Sequence, residues 1–279
     1  MVDDISGAEQ PIAEGGGRAT REPLAFGRIV IIGGGCYGSW YAQQLQRAEA
    51  GGALHAREIV VVDRDPDCRV ARLIAEGVYP ALALRLETTT WDEYLMTWLG
   101  QGGEALANDA MVPSPLMPHL CLDWLMARAR QRWPGRQLTV ESLPAAPPMP
   151  WERAAPDGRH YVSFATWMCP VNCIEPERCP ETRETRWWSM PPALESYVAG
   201  QRGVLDGSFI FHCTHRRYGV GMIDAHAIAA ADDALAAAVD DSSRRFLVGT
   251  VSHCHGALGV LAIAAKPADA QVMAPAPTS

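Results

Sequence analysis

The sequence predicts an α/β protein built on a parallel sheet, with a Cys/His-rich extension in its C-terminal half. Three observations carry that expectation. Short apolar, β-branched runs alternate with stretches of helical spacing, the pattern of buried strands joined by right-handed crossovers. The first run, residues 28–32 (RIVII), leads directly into the glycine cluster 33–38. The second, residues 58–63 (EIVVVD), ends on an acid.

Each element follows in order. The helix opened by the glycines is expected over about residues 39–48, and residues 67–76 have helical spacing. Residues 82–87 (LALRLE) read as a third strand and 110–114 (AMVPS) as a fourth. A helix is expected over 116–133, entered after Pro115 and Pro118, and a fifth strand over 138–141 (LTVE). Residues 143–158 are rich in Pro and Ala, which interrupts regular structure. A first unit is therefore expected over 25–148 and a second over 149–265. Three more apolar runs, 161–167, 207–211 and 245–251, mark strands of the second unit, and 227–239 is a candidate helix. Residues 1–24 and 266–279 read as disordered tails.

Composition excludes several classes of function. With 48% hydrophobic and 20% charged residues, the chain has the balance of a soluble globular protein. Its net charge is −8 and it has no basic run, so neither nucleic acid nor an anionic membrane is an expected partner. Of the 24 basic residues only Lys266 is a lysine. A phosphate loop that needs a Lys, Schiff-base chemistry and a Tyr-x-x-x-Lys catalytic pair are all excluded. No apolar stretch approaches the roughly 20 residues that span a bilayer, and no secretory signal pattern is visible. The expectation is a cytoplasmic protein whose eight cysteines are reduced thiols or metal ligands.

Gly33-Gly34-Gly35-Cys36-Tyr37-Gly38 matches G-x-G-x-x-G. The first glycine permits a tight turn, the second lets backbone approach a pyrophosphate, and the third lets helix and strand pack closely. The helix that follows offers free N–H groups to phosphate. Asp63, at the end of the second strand, is placed to accept from ribose hydroxyls and to repel a 2′-phosphate. Arg64 beside it is suited to stack on adenine or to meet a 2′-phosphate. Over residues 27–90 the chain resembles the Rossmann-fold NAD(P)-binding superfamily, including domains like those of potassium-uptake regulators. The resemblance implies NAD, or NADP, held at Gly33, Gly34, Gly35, Cys36, Tyr37, Gly38, Asp63 and Arg64. S-adenosylmethionine is the competing ligand, although such methyltransferases usually carry an acid just before the glycines, where this chain has Ile31 and Ile32.

The second half resembles no recognised family. It holds Cys169, Cys173 and Cys179 within eleven residues, two of them followed by Pro. Thiols this close in a stiffened loop can converge on zinc or an iron–sulfur cluster. A redox thiol site and inert loop cysteines are the alternatives. His212-Cys213-Thr214-His215 and His253-Cys254-His255 each follow a strand-like run. If those strands are parallel to the first sheet, all three groups emerge at one carboxyl edge, where ligands sit in open α/β sheets. Cys254 or His215 would then complete the ligand set. Taken singly, each of these residues fits ordinary packing or a surface hydrogen bond better than a ligand role. His119 and Asp123, at i and i+4, are expected to form a cap or surface contact, and Trp187 and Trp188 a packed cover.

These readings combine into an oxidoreductase. A nicotinamide cofactor would exchange electrons with a metal, iron–sulfur or thiol site at Cys169, Cys173, Cys179 and Cys254, with His215 as proton donor. Two alternatives stand beside it: a non-enzymatic NAD(H) sensor with structural metal, and a methyltransferase with structural zinc. The expected partners are a small-molecule substrate or redox partner and, in a homo-oligomer, a second copy of the chain.

Overall fold

Residues 29–32 and 59–62 are buried on both faces, and they form the centre of the first of two sheets. The computed structural model describes residues 22–169 and 173–267. Within them, β1 (Leu24–Ile32) pairs in parallel with β2 (Leu54–Asp63), β2 with β3 (Leu84–Thr88), and β1 with β4 (Ala110–Val112). Helix α1 (Cys36–Ala50) connects β1 to β2, and α2 (Arg69–Ala75) connects β2 to β3. Side chains alternate across this sheet as its period of two requires. Ile29, Ile31, Ile59 and Val61 pack with Ala42, Leu45 and Ala48 of α1, while Val30, Ile32, Val60 and Val62 face the opposite layer.

The chain is mixed α/β, and both of its sheets are mixed. The expectation of a parallel sheet holds for β3-β2-β1-β4 and fails beyond β4. There β10 (Gly221–Asp224) pairs antiparallel with β4, and β9 (Thr214–His215) pairs antiparallel with β10. Sequence period cannot distinguish these directions, because a buried strand reads alike in either. The second sheet runs β6 (Trp151–Ala154), β7 (His160–Ser163), β12 (His255–Ile263), β11 (Arg244–Val251), β8 (Gly207–His212). Strand β5 (Leu138–Glu141), inside the first expected unit, joins this second sheet by pairing with β12.

Helices α3 (Trp91–Trp98), α4 (Leu120–Arg132) and α6 (Ala225–Ala238) fill the space between the sheets. One core joins Val30 and Val60 of the first sheet to Phe246, Val248 and Leu261 of the second through Leu122, Leu125 and Ile228. Helix α5 (Met190–Gly200) covers the outer face of the second sheet with Met190, Leu194 and Tyr197. Among the described residues no helix is long and apolar enough to cross a membrane. The expected tails lie outside the described residues up to 21 and beyond 267. Leu24 already belongs to β1, and Lys266 donates its backbone N–H to Asp241 O at 2.9 Å.

Asp232 pins α6 to α4. Its buried carboxylate accepts from Arg128 Nε at 2.8 Å and from Arg132 at 2.7 and 3.0 Å. Burial pushes its pKa up, but the two guanidinium groups outweigh this and hold it below the usual range. Asp232→Ala leaves two partly exposed cations without their anion, so a loss of about 2–3 kcal/mol is expected in urea unfolding. Unchanged stability would show the pair to be energetically idle.

Candidate functional site

The glycine turn adopts the geometry its pattern requires. Gly33 has φ +89°, a region that favours glycine. A Cβ on Gly38 would stand 1.8 Å from Gly33 O, so the helix can approach the strand only without one. A Cβ on Gly35, by contrast, would meet nothing within 4 Å. Gly35 is also the N-cap of α1 and provides no side-chain cap, and the first N–H groups of an α-helix have no partner within it. Asp63 closes the turn: Oδ2 accepts from Gly34 N at 2.6 Å and Oδ1 from Asp65 N at 2.9 Å. Cys36, Tyr37 and Arg64 are exposed around it, and Arg69 reaches Cys36 Sγ at 4.0 Å.

The Cys/His groups meet at one edge of the second sheet. Strands β8 and β11 are parallel, with His212 level with Val251. Strand β7 is antiparallel to β12, and β12 is antiparallel to β11, so β7 ends at the same edge. Phe164 N donates to Cys254 O at 2.9 Å there. Convergence was expected at the carboxyl edge of the first sheet, but the edge on which the groups meet belongs to the second. Cys213 crosses from one sheet to the other: its N–H donates to Val251 O at 2.7 Å, and the next two residues are β9.

Glu175, which sequence reasoning passed over, is the centre of this edge. It is buried, with φ +51°. Its Oε1 accepts from Ser252 Oγ at 2.5 Å and Cys254 N at 3.1 Å, and its Oε2 accepts from His253 N at 2.8 Å. His215 Nδ1 stands 3.9 Å from Oε2. Burial raises the Glu175 pKa, but these donors and His215 outweigh it and hold the carboxyl below its usual range. The available signal was an acid between Cys173 and Cys179. What that acid does depends on N–H groups almost 80 residues away in sequence.

Four imidazoles surround the carboxylate. The His212 and His253 ring centres are 4.6 Å apart at 76°. His253 Nδ1 is 2.8 Å from Ser189 Oγ. His255 Nδ1 is 3.0 Å from Ser163 Oγ, which donates its own proton to Ala165 O, so His255 is the donor of that pair. His212 Nε2 is buried and has no partner among the described residues. Burial lowers the pKa of all four; His253 adds to the effect at His212 and Arg186 at His253. At neutral pH these rings are uncharged.

The cysteines divide by environment. Cys254 is buried, accepts from Trp188 Nε1 at 3.2 Å and is pushed up to about 12 by burial. Cys179 packs with Cys254 and Trp188 in one small cluster. Burial raises Cys179, but donation from the Thr182 backbone and hydroxyl outweighs it and lowers the thiol below its usual value. Burial raises Cys169, with Cys173 and Cys179 adding to it, so the three loop thiols are near neighbours. Among the described residues no three His, Cys, Asp or Glu side chains already form a set that would hold a metal ion. Trp188 is buried as a cover, while Trp187 is 81% exposed. The expected His119–Asp123 contact does not form: Asp123 pairs with Arg159, and His119 packs edge-on against Tyr161 at 5.2 Å.

Tyr41 lies one helical turn beyond Tyr37 on α1, and burial, followed by the neighbouring Cys213 and Tyr37, pushes its hydroxyl up to about 12. Comparison with known proteins bears on the second region. The family AF_1314_C, described as the C-terminal domain of an uncharacterized protein, matches residues 121–264. That span runs from α4 through β12 and leaves the glycine turn outside it. No curated protein and no solved structure matches.

Proposed function

The chain belongs to the AF_1314_C family, and from that premise and the glycine turn outside the family's span we propose that it is an NAD(P)-binding oxidoreductase. In this reading the cofactor lies on a Rossmann-type βαβ unit formed by β1, α1 and β2. The second region supplies a thiol- or metal-bearing redox site at Cys169, Cys173, Cys179 and Cys254.

One observation carries the cofactor assignment. Gly35 offers unobstructed backbone at the start of a helix whose packing forbids a Cβ at Gly38, and a carboxylate stands at the end of the neighbouring strand. Main-chain N–H groups of residues 35–38 would take the diphosphate. Asp63 would take the ribose, since each of its oxygens keeps a lone pair after binding Gly34 and Asp65. When bound, the nicotinamide would supply two-electron hydride chemistry. Tyr37 and Tyr41 on α1 and Cys213 beyond them lead from this turn to the Cys/His edge. His215, expected as a proton donor, stands 3.9 Å from Glu175, and burial lowers its pKa, which would suit it to accept a proton.

Isothermal titration of the full chain tests the reading. NADH should give saturable heat, and NADPH should bind at least about tenfold more weakly, or 1.4 kcal/mol, because Asp63 repels its phosphate. Absence of heat with both would remove the cofactor. Heat with S-adenosylmethionine alone would replace the oxidoreductase with a methyltransferase.

A further inference from the structure

Ser189 and His253 meet at the second sheet's edge as a pair that the cysteine and histidine spacing did not suggest. We propose that Ser189 is a nucleophile and His253 its general base, in a further activity of the chain: hydrolysis of carboxylic esters with an apolar acyl group. This activity uses neither the nicotinamide nor the thiols of the oxidoreductase reading.

Three observations support it. The first is local. Ser189 is the N-cap of α5 yet caps nothing, because the two positions that would donate to it are Pro191 and Pro192, which have no N–H. Its Oγ stands instead 2.8 Å from His253 Nδ1, and it has no other partner among the described residues. The hydroxyl proton is therefore directed at the imidazole, the contact by which a base activates a weak nucleophile. Ser163 is the contrast: its Oγ is 3.0 Å from His255 Nδ1, but its proton goes to Ala165 O.

The second is that the pair is held in place. Met190 N donates to His253 O at 3.0 Å, which ties the residue after the nucleophile to the backbone of the base. Glu175 Oε2 accepts from His253 N at 2.8 Å, and the His212 ring packs edge-on against that of His253 with centres 4.6 Å apart. The third is a cation where charge would develop. Arg186 Nη1 donates at 3.1 Å to Trp188 O, the carbonyl of the peptide that leads into Ser189, and Nε donates to Pro176 O at 3.3 Å. The rest of the five N–H groups of the guanidinium stay free for a ligand oxygen. Ser189 and His253 are half-buried, and Trp187, two residues before the nucleophile, is 81% exposed and offers an apolar surface to an acyl group.

In the reaction, Ser189 Oγ bonds to the ester carbonyl carbon as its proton passes to His253 Nδ1, and the oxyanion that forms lies against Arg186. His253 returns the proton to the leaving alkoxide as the C–O bond breaks, which leaves an acyl ester on Ser189. Water repeats the sequence with the same pair, releases the carboxylic acid and restores Ser189. No electrons are exchanged, and water is the only other reactant.

A fluorophosphonate probe, incubated with the full chain without nicotinamide, tests the pair. The expected result is a single probe per chain by intact mass, located on Ser189 by fragmentation. A burst of p-nitrophenol from p-nitrophenyl butyrate, lost after labelling, should accompany it. Ser163→Ala should label as the parent chain does, and Ser189→Ala should not label. His253→Gln should slow labelling at least about 100-fold, the low end of what a positioned general base contributes. Circular dichroism of each variant separates a lost pair from a lost fold, and the site of labelling is read first on the unmodified chain. Absence of label on that chain, or label on any serine other than Ser189, would overturn the proposal and leave the NADH titration unaffected. Labelling of a folded His253→Gln variant at the parent rate would overturn it equally.

Discussion

Gly35→Val is expected to abolish NADH binding while leaving the fold intact. A Cβ at this position meets nothing within 4 Å and φ is −78°, outside the left-handed region, while ψ of −148° lies off the extended range. The cost to the protein is a poorer N-cap and that unfavourable ψ, together about 1–3 kcal/mol. The isopropyl group would occupy the space through which a diphosphate reaches the helix N-terminus, so a loss of at least about 100-fold in affinity, or 2.7 kcal/mol, is expected in titration. Gly38→Ala provides the contrast. Its methyl would stand 1.8 Å from Gly33 O, so the turn must open or the helix must shift. A stability loss of at least about 1–3 kcal/mol is expected from that overpacking. If Gly35→Val binds NADH as tightly as the parent chain, the turn is a structural corner and the cofactor assignment falls.

The second large effect is expected at Glu175. Glu175→Ala removes the acceptor of two backbone N–H groups and one hydroxyl in a buried setting. At about 1–3 kcal/mol for each stranded donor, reduced where Ser252 can turn to water, a loss of about 3–5 kcal/mol in chemical unfolding is expected. The 252–255 turn should loosen with it, detectable as faster amide exchange at His253 and Cys254. The acid side adds a signature. Because the folded carboxyl titrates below its unfolded value of about 4.3, its contribution is complete above that value. It is lost as pH falls through the depressed folded value. Glu175→Gln should lack this part of the acid destabilisation. A variant whose stability follows the parent chain at every pH would show that Glu175 is not the anchor of this edge.

Much of the fold was legible as local pattern. The strand at 138–141 formed over the expected residues, and those at 207–211 and 245–251 formed within one residue of the expected bounds. Continuous apolar runs with β-branched residues support few other structures. By contrast, β12 and α5 went unread. The segment of β12, HGALGVLAI, mixes Gly, which weakens a strand, with Ala, which favours a helix, so its composition indicates neither. Helix α5 begins with two prolines at its first turn, where proline is tolerated but also signals a loop. The candidate residues at the second edge followed the same division. Cys/His spacing identified the segments, but Glu175, Ser163, Ser189 and Ser252 bear no pattern of their own. Their roles arise from partners 64 to 92 residues away.

The sequence by itself determined the glycine turn and the strand end that carries Asp63, because each depends on residue type over a few neighbouring positions. Only the tertiary structure decided the direction of β10, the transfer of β5 to the second sheet, and the gathering of four histidines about one buried carboxylate. Those depend on which distant strands exchange hydrogen bonds. Strand pairing is set by burial and register across the whole chain, so no local window of residues records it.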